Sequence, residues 1–201
     1  MGNKNSGMSA IAKTFISEKE YLNEERKALT KSEYYKGEIF AMPGATKVHN
    51  AIVGALLGEL YGFLKGKSCK VFSSDLRVHN NENSLYTYPD ITVVCGKEEY
   101  LDDEFDTLLN PTVLFEIFSS VEDYNRSAKL FKLYRSIPSL LNYILVSSTE
   151  YAAEIYTRKE NEEWTLNVVE EKNGHIQINA INFDLSLADV YAQVDDLIPT
   201  E

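Results

Sequence analysis

Two carboxylates stand where strands ought to be apolar. Asp90 lies in Tyr88-Pro89-Asp90-Ile91-Thr92-Val93-Val94, directly before a run patterned for burial. Glu116 lies inside Val113-Leu114-Phe115-Glu116-Ile117-Phe118, with apolar neighbours on both sides. An ionised carboxylate in such surroundings is costly unless it is paired, hydrogen-bonded or bound to a cation. Two of them on neighbouring strands repel each other, and a divalent cation resolves that repulsion. Ligation by oxygen alone favours Mg2+ or Mn2+ over zinc. For either acid taken singly, a salt bridge to a buried Arg or Lys, or an edge position facing water, would serve as well. The pair, with basic residues following, points to a metal site.

Those basic residues fall on a helix expected over residues 125–136. At about 100° per residue, Leu130, Leu133, Tyr134 and Ile137 form one apolar stripe. Arg126 falls near the middle of that stripe, Lys129 at its edge, and Lys132 roughly opposite. Arg126 and Lys129 can therefore look back at the sheet that carries Glu116. A lysine beside a metal-bound water can orient the nucleophile and stabilise charge in a phosphoryl-transfer transition state. The plainer alternative is that both cations pair with Glu122 and Asp123 in solvent. His49 lies on the buried face of an earlier helix, where a core, hydrogen-bonding or catalytic role is open. His79 and His175 fall in a loop and a meander and read as incidental.

The elements that must hold these groups follow from periodicity. Residues 17–29 suit a surface helix with Ser17 as N-cap and Glu20 three positions on. Residues 34–42 read as a strand ending at Pro43-Gly44. Over 47–64, Val48, Ile52, Ala55, Leu56, Leu60 and Phe63 recur at helical spacing behind Thr46 as cap. Runs 70–78 and 86–95 read as strands joined by a hairpin loop at 79–84. The polar, acidic stretch 96–110 connects to a strand at 112–118. That strand, the helix at 125–136 and a strand at 141–147 imply a right-handed crossover between parallel strands. Segments 153–157, 163–169 and 175–179 alternate like an antiparallel meander, and a short helix over 187–194 follows. The class is mixed α/β: a central sheet flanked by helices, with a C-terminal antiparallel meander.

A chain of 201 residues is suited to one domain, expected over 10–201 behind a disordered tail at 1–9. No apolar run approaches the roughly 18–20 residues of a membrane helix, and the N-terminus lacks a secretion pattern, so a cytoplasmic protein is expected. Cys69 and Cys95 lack metal-ligand spacing, which excludes a zinc–thiolate site; two buried reduced thiols are the favoured reading over one disulfide. No glycine-rich phosphate loop of the nucleoside-triphosphatase type occurs. The net charge of −11 disfavours tight metal-free DNA binding, since phosphate neutralisation supplies most of that affinity.

Tyr88-Pro89-Asp90 followed by Phe115-Glu116-Ile117-Phe118 resembles the Pro-Asp…(Asp/Glu)-x-Lys signature of restriction-endonuclease-like nucleases. The wider layout is more specific. It comprises Gly37-Glu38-Ile39, His49 opening a helix, Ser74-Asp75-Leu76-Arg77, Asn110-Pro111, Asp123-Tyr124-Asn125-Arg126 with Lys129, and Leu133-Tyr134-Arg135 with Ile137-Pro138-Ser139. This resembles the Uma-two family of bacterial endonucleases over about residues 34–147. The resemblance implies a restriction-endonuclease-like core with Asp90 and Glu116 as metal ligands and the Ile117 carbonyl as a third. It implies Lys129 in the catalytic lysine's role, because Phe118 stands two positions after Glu116. Glu38, His49, Asp75 and Arg126 are supporting candidates. One departure is Ser119-Ser120-Val121-Glu122, where family members often read Ser-Pro-Ser/Thr.

The leading expectation is a Mg2+- or Mn2+-dependent endonuclease acting on DNA, with a homodimer expected by analogy with nucleases that cut both strands. Two others stand beside it: a catalytically inactive relative serving protein binding or self-association, and a hydrolase of a small phosphorylated molecule.

Overall fold

A computed structural model of the chain describes residues 15–42 and 44–194. The expected tail, and Pro43 of the expected turn, lie outside them. Helix α1 (Glu18–Glu25) begins with the anticipated capping box: Ser17 Oγ accepts from the Glu20 N–H, and Glu20 accepts from the Ser17 N–H. It stops short of residue 29. Segment 34–42 is a hairpin rather than one strand, β1 (Ser32–Tyr35) pairing antiparallel with β2 (Glu38–Ala41). Lys36 and Gly37 at its tip both have positive φ, 48° and 93°, as a two-residue hairpin turn of this kind requires.

Helix α2 (Lys47–Leu64) has the predicted limits, with Thr46 Oγ1 accepting from the His49 N–H. The next two apolar runs are each divided between two sheets. β3 (Cys69–Ser73) and β4 (Arg77–Asn80) come from the first run, β5 (Leu85–Thr87) and β6 (Ile91–Cys95) from the second. β4 and β5 form the expected hairpin in one sheet, whereas β3 pairs with β6 in the other. Tyr88, Pro89 and Asp90 thus span the change of sheet. Proline has no N–H to give a ladder, so a break there costs little.

β7 (Thr107–Leu108) lies parallel to β4. β8 (Val113–Phe118), α3 (Val121–Tyr134) and β9 (Asn142–Ser147) form the predicted crossover, with β8 and β9 parallel. β10 (Ala153–Arg158) and β11 (Trp164–Val169) extend that sheet antiparallel. β12 (His175–Ile178) leaves the meander and pairs with β13 (Phe183–Ser186), a strand the alternation did not single out; α4 (Leu187–Val190) follows. The larger sheet runs β11-β10-β9-β8-β6-β3, and the smaller β2-β1-β5-β4-β7. Among the described residues no helix is long and apolar enough to cross a membrane.

Strand alternation decides what the larger sheet shows to each side. Ile91, Val93, Val113, Phe115, Ile117, Ile144 and Val146 meet the α2 stripe Ile52, Leu56, Leu60 and Leu64. Leu114, Tyr143 and Leu145 point the other way, against Leu130 and Tyr134 of α3 and Val78 and Leu85 of the smaller sheet. Burying each such side chain contributes about 1.5–3 kcal/mol, so both faces are strongly specified. Glu116 follows Leu114 in alternation and so belongs to the α3 side.

The cysteines correct the sequence reading. The β3–β6 register sets Cys69 directly opposite Cys95, and the two are joined in a disulfide instead of remaining free thiols. Cross-strand pairing, which spacing along the chain does not reveal, brings them together.

Candidate active site

Asp90 directly precedes β6. Ile91 pairs with Phe115, so extending the antiparallel register by one pair sets Asp90 across from Glu116. The Asp90 carboxylate is held from two sides: Oδ2 accepts the Ile117 N–H at 2.7 Å, and Oδ1 is 3.0 Å from His49 Nε2. His49 reaches it from the first turn of α2. Burial pulls the His49 pKa down, but the hydrogen bond and charge of Asp90, with Asp123 and the Ile117 backbone adding to them, leave it raised.

Glu116 is 6% exposed, and the Tyr134 hydroxyl donates to it at 3.5 Å, itself 2.5 Å from Thr87 Oγ1. Its pKa is pushed well above the ordinary carboxylate value. Burial is the main cause, the Asp90 charge adds to it, and Arg126 opposes it. Arg126 projects from α3 and ion-pairs with Glu33 of β1. Burial works against the guanidinium charge, yet Glu116 and Glu33 more than restore it.

These groups share a cavity of about 650 Å3 lined by Asp90, Glu116, Ile117, His49, Asp75 and Arg126, together with Lys31 and Asp123. Asp75 is at its rim, 88% exposed, with Oδ1 3.0 Å from Lys31 Nζ. Lys31 also donates to the Ser74 carbonyl at 2.7 Å and lies 5.3 Å from the centre of the Tyr88 ring. Among the described residues, no three His, Cys, Asp or Glu side chains gather as a ready-made metal shell. The oxygen donors set across from each other are the Asp90 and Glu116 carboxylates with the Ile117 backbone beside them, while Asp75 and Asp123 stand elsewhere on the cavity wall.

Lys129 is exposed and lines an adjoining cleft of about 490 Å3 with Glu33 and Arg126, not the cavity that holds the acids. Arg126 is common to both walls. Lys132 is exposed and lines neither. Glu38 opens β2 opposite Tyr35 and also lines neither. Sequence reasoning missed Glu33 and Lys31. Glu33 preceded the strand as read, and only the β1–α3 packing brings it to Arg126; Lys31 carries no periodic signal at all. His79 is buried, stacked on Tyr86 at 3.8 Å, and His175 pairs with Asp184 across β12 and β13.

A family model described as "Putative restriction endonuclease", Uma2, matches residues 19–189. The chain belongs to the Uma2 family. It is 30% identical over 177 residues to the uncharacterized protein slr1290 of Synechocystis, covering 88% of this chain and 91% of that one. A second Synechocystis relative, sll1609, is 30% identical over 174 residues, covering 86% and 98%. Among solved structures, a "putative nuclease belonging to DUF820" from Anabaena variabilis superposes with a TM-score of 0.68 at 19% identity, over 88% of this chain and 98% of that chain. The restriction-endonuclease-like fold expected from the motif layout is thus shared with that structure. In this Uma2 protein the Ser119-Ser120-Val121-Glu122 departure starts α3 cleanly. Ser120 Oγ accepts from the Asp123 N–H, and Asp123 Oδ2 accepts from Ser119 Oγ at 2.7 Å. The helix consequently begins at Val121 rather than near residue 125.

Proposed function

We propose that this protein is a divalent-metal-dependent endonuclease that hydrolyses phosphodiester bonds in DNA. One observation carries the reading: Glu116 is buried in mid-strand, faces Asp90, and has its proton affinity raised by that burial and that neighbour. A cation between the two acids relieves the repulsion, and the oxygen-only donor set fits Mg2+ or Mn2+. Asp90 and Glu116, with the Ile117 carbonyl, would hold the ion. When bound, it supplies Lewis-acid polarisation of a phosphoryl oxygen and a water acidic enough to attack at neutral pH.

The chain's own groups account for the rest. His49 and the Ile117 N–H fix the Asp90 carboxylate in one orientation. Arg126, on the cavity wall, is set to stabilise negative charge building on the phosphoryl oxygens. Lys129, one helical turn further along α3, supports the same charge from the adjoining cleft. A two-fold dimer would let two such sites address both strands, and β11 offers an open sheet edge for it.

The test is cleavage of plasmid and single-stranded DNA with Mg2+ or Mn2+, comparing wild type with Glu116→Gln. Metal-dependent nicking that vanishes in the variant is the expected result. A second reading, a non-catalytic binding module, is favoured by one detail: both Asp90 oxygens already have partners without a metal. Absence of cleavage together with absence of Mn2+ binding by calorimetry would establish that reading instead. Within the first reading, Lys129→Ala slows cleavage about tenfold or more and Lys132→Ala leaves it unchanged; equal effects would remove Lys129 from the site.

A further inference from the structure

The disulfide stands apart from the acid-lined cavity, yet the stretch of chain it closes carries part of the cavity's wall. Cys69 opens β3 and Cys95 ends β6, set opposite each other by the register and bonded across 26 positions. At the far end of the same ladder Ser73 faces Ile91. Ser74 and Asp75 follow the one and Asp90 precedes the other, and all three line the cavity. Among the described residues β3 is an edge strand, paired in its sheet with β6 alone. A strand held on one side opens at lower free energy than a central one. A covalent link across the pair limits that opening and removes loop-closure entropy from the unfolded chain.

The surroundings of the sulfurs are those of a reactive pair. Both cysteines are only partly buried. Lys65, Lys67 and Lys70 flank Cys69, Lys97 follows Cys95, and all four lysines are exposed. Two acids lie in the same segments, Glu98, which pairs with Lys70, and Glu99. Lys67 lies over the ring of Phe63 on α2, the helix whose apolar face the cysteines pack against. In a chain of net charge −11 this is a local excess of positive charge. Positive charge draws an anionic thiol to the bond and steadies the thiolate that departs, whereas a disulfide sealed in an apolar core meets neither condition.

We propose that Cys69–Cys95 is a thiol–disulfide exchange site for a small anionic thiol of the glutathione type, and that opening it loosens β3 together with the Ser74–Asp75 rim. One thiolate attacks a cysteine sulfur, the S–S bond breaks, and the departing cysteine thiolate takes up a proton. A second thiolate cleaves the mixed disulfide in the same way. The two thiols leave as their own disulfide, having given up two electrons, and both cysteines end as thiols. Ser74, whose carbonyl accepts from Lys31, is the first position beyond the freed strand. The exchange site stands independently of the nuclease reading.

The experiment compares air-oxidised and reduced protein of the same sequence. Alkylation followed by mass measurement should find both cysteines blocked before reduction and both free after it. Reduction should lower the thermal midpoint by about 5–10 °C and speed amide exchange over residues 70–75 by about tenfold or more, well beyond any change in β9 and β10. At equal thiolate concentration and low ionic strength, glutathione should open the bond about threefold or more faster than the cationic thiol cysteamine, and high salt should remove that advantage. Combining Lys67→Gln with Lys97→Gln should remove it as well. Free thiols in the air-oxidised protein overturn the proposal, as does a midpoint and exchange pattern unchanged on reduction. Equal opening rates for the two thiols overturn it too. These readouts need neither metal nor DNA. A protein that exchanges thiols and never cuts loses the nuclease reading and keeps the exchange site, and one that cuts with an inert disulfide does the reverse.

Discussion

Two clusters of charge flank Tyr88-Pro89-Asp90, and they are built to opposite ends. On one side, Asp106 receives Arg26 Nε at 2.7 Å and its own neighbour Thr107 Oγ1 at 2.7 Å. Arg77 Nη2 stands 2.9 Å from it as a charge contact outside hydrogen-bonding geometry. Arg77, only 2% exposed, also donates to Thr107 Oγ1 and to the Tyr88 hydroxyl, both at 2.9 Å, and Tyr88 donates on to Glu25. Burial alone would raise the Asp106 pKa, yet Arg26, Thr107 and Arg77 together hold it well below the ordinary range. On the other side, Glu116 is driven the opposite way, chiefly by burial and then by the Asp90 charge, and Arg126, which is divided between Glu116 and Glu33, offsets only part of it. The first cluster is electrostatically complete and anchors the loop that delivers Asp90. The second is left with more negative charge than its cations offset, and it opens on a cavity. Partly exposed Asp106 is matched by its cations and buried Glu116 is not, and on the proposed reading a bound cation would make up that shortfall.

That contrast predicts different consequences for the same kind of substitution. The largest effect belongs to the proposed chemistry: on the nuclease reading, Asp90→Asn and Glu116→Gln should each cut metal-dependent DNA cleavage by about a hundredfold to a thousandfold, the several kcal/mol a bound cation contributes. Activity retained in both would dissolve the distinction between the clusters. Next comes Arg77→Met, expected to lower unfolding stability by about 3 kcal/mol in urea titration, since it strips a buried charge from Asp106 and a donor from Tyr88. A loss under about 1 kcal/mol would mean that Arg26 suffices alone.

Asp106→Asn is smaller, roughly 1–2 kcal/mol at neutral pH, because the carboxylate is about a third exposed and partly screened. Its folded pKa is depressed, so its contribution is present above the unfolded value near 4 and disappears as pH falls through the folded one. The variant and wild type should therefore converge in stability in acid. The smallest effect has the opposite sign. Glu116 has a raised folded pKa, so its ionisation penalises the metal-free fold once pH exceeds the unfolded value. Glu116→Gln should stabilise the metal-free protein by about 1 kcal/mol at pH 7 and by nothing near pH 3. Destabilisation at pH 7 would show the carboxylate to be as well satisfied as Asp106.

Much was legible along the chain. The N-cap of α1, both limits of α2 and the β8–α3–β9 crossover follow from caps and periodicity, which are local and survive whatever packs against them. Asp90 and Glu116 stood out because an acid in an apolar strand conflicts with its own neighbours, and no tertiary information is needed to see that conflict. The helix-face geometry likewise separated Arg126 from Lys132. It did not separate the cavity from the cleft, so Lys129 lies one wall away from the acids.

What the chain could not disclose depends on partners remote in sequence. Runs 70–78 and 86–95 are uniformly strand-like, and only the packing of two sheets decides that each is divided, with Asp90 at the division. Glu33 meets Arg126 across 93 positions. His49 meets Asp90 across 41. Cys69 meets Cys95 because a register sets them opposite. Local patterns fix which side of an element is apolar, since burial acts on each residue's own side chain. Which charges then face each other is set by how elements pack, and that arrangement leaves Asp106 fully neutralised and Glu116 not.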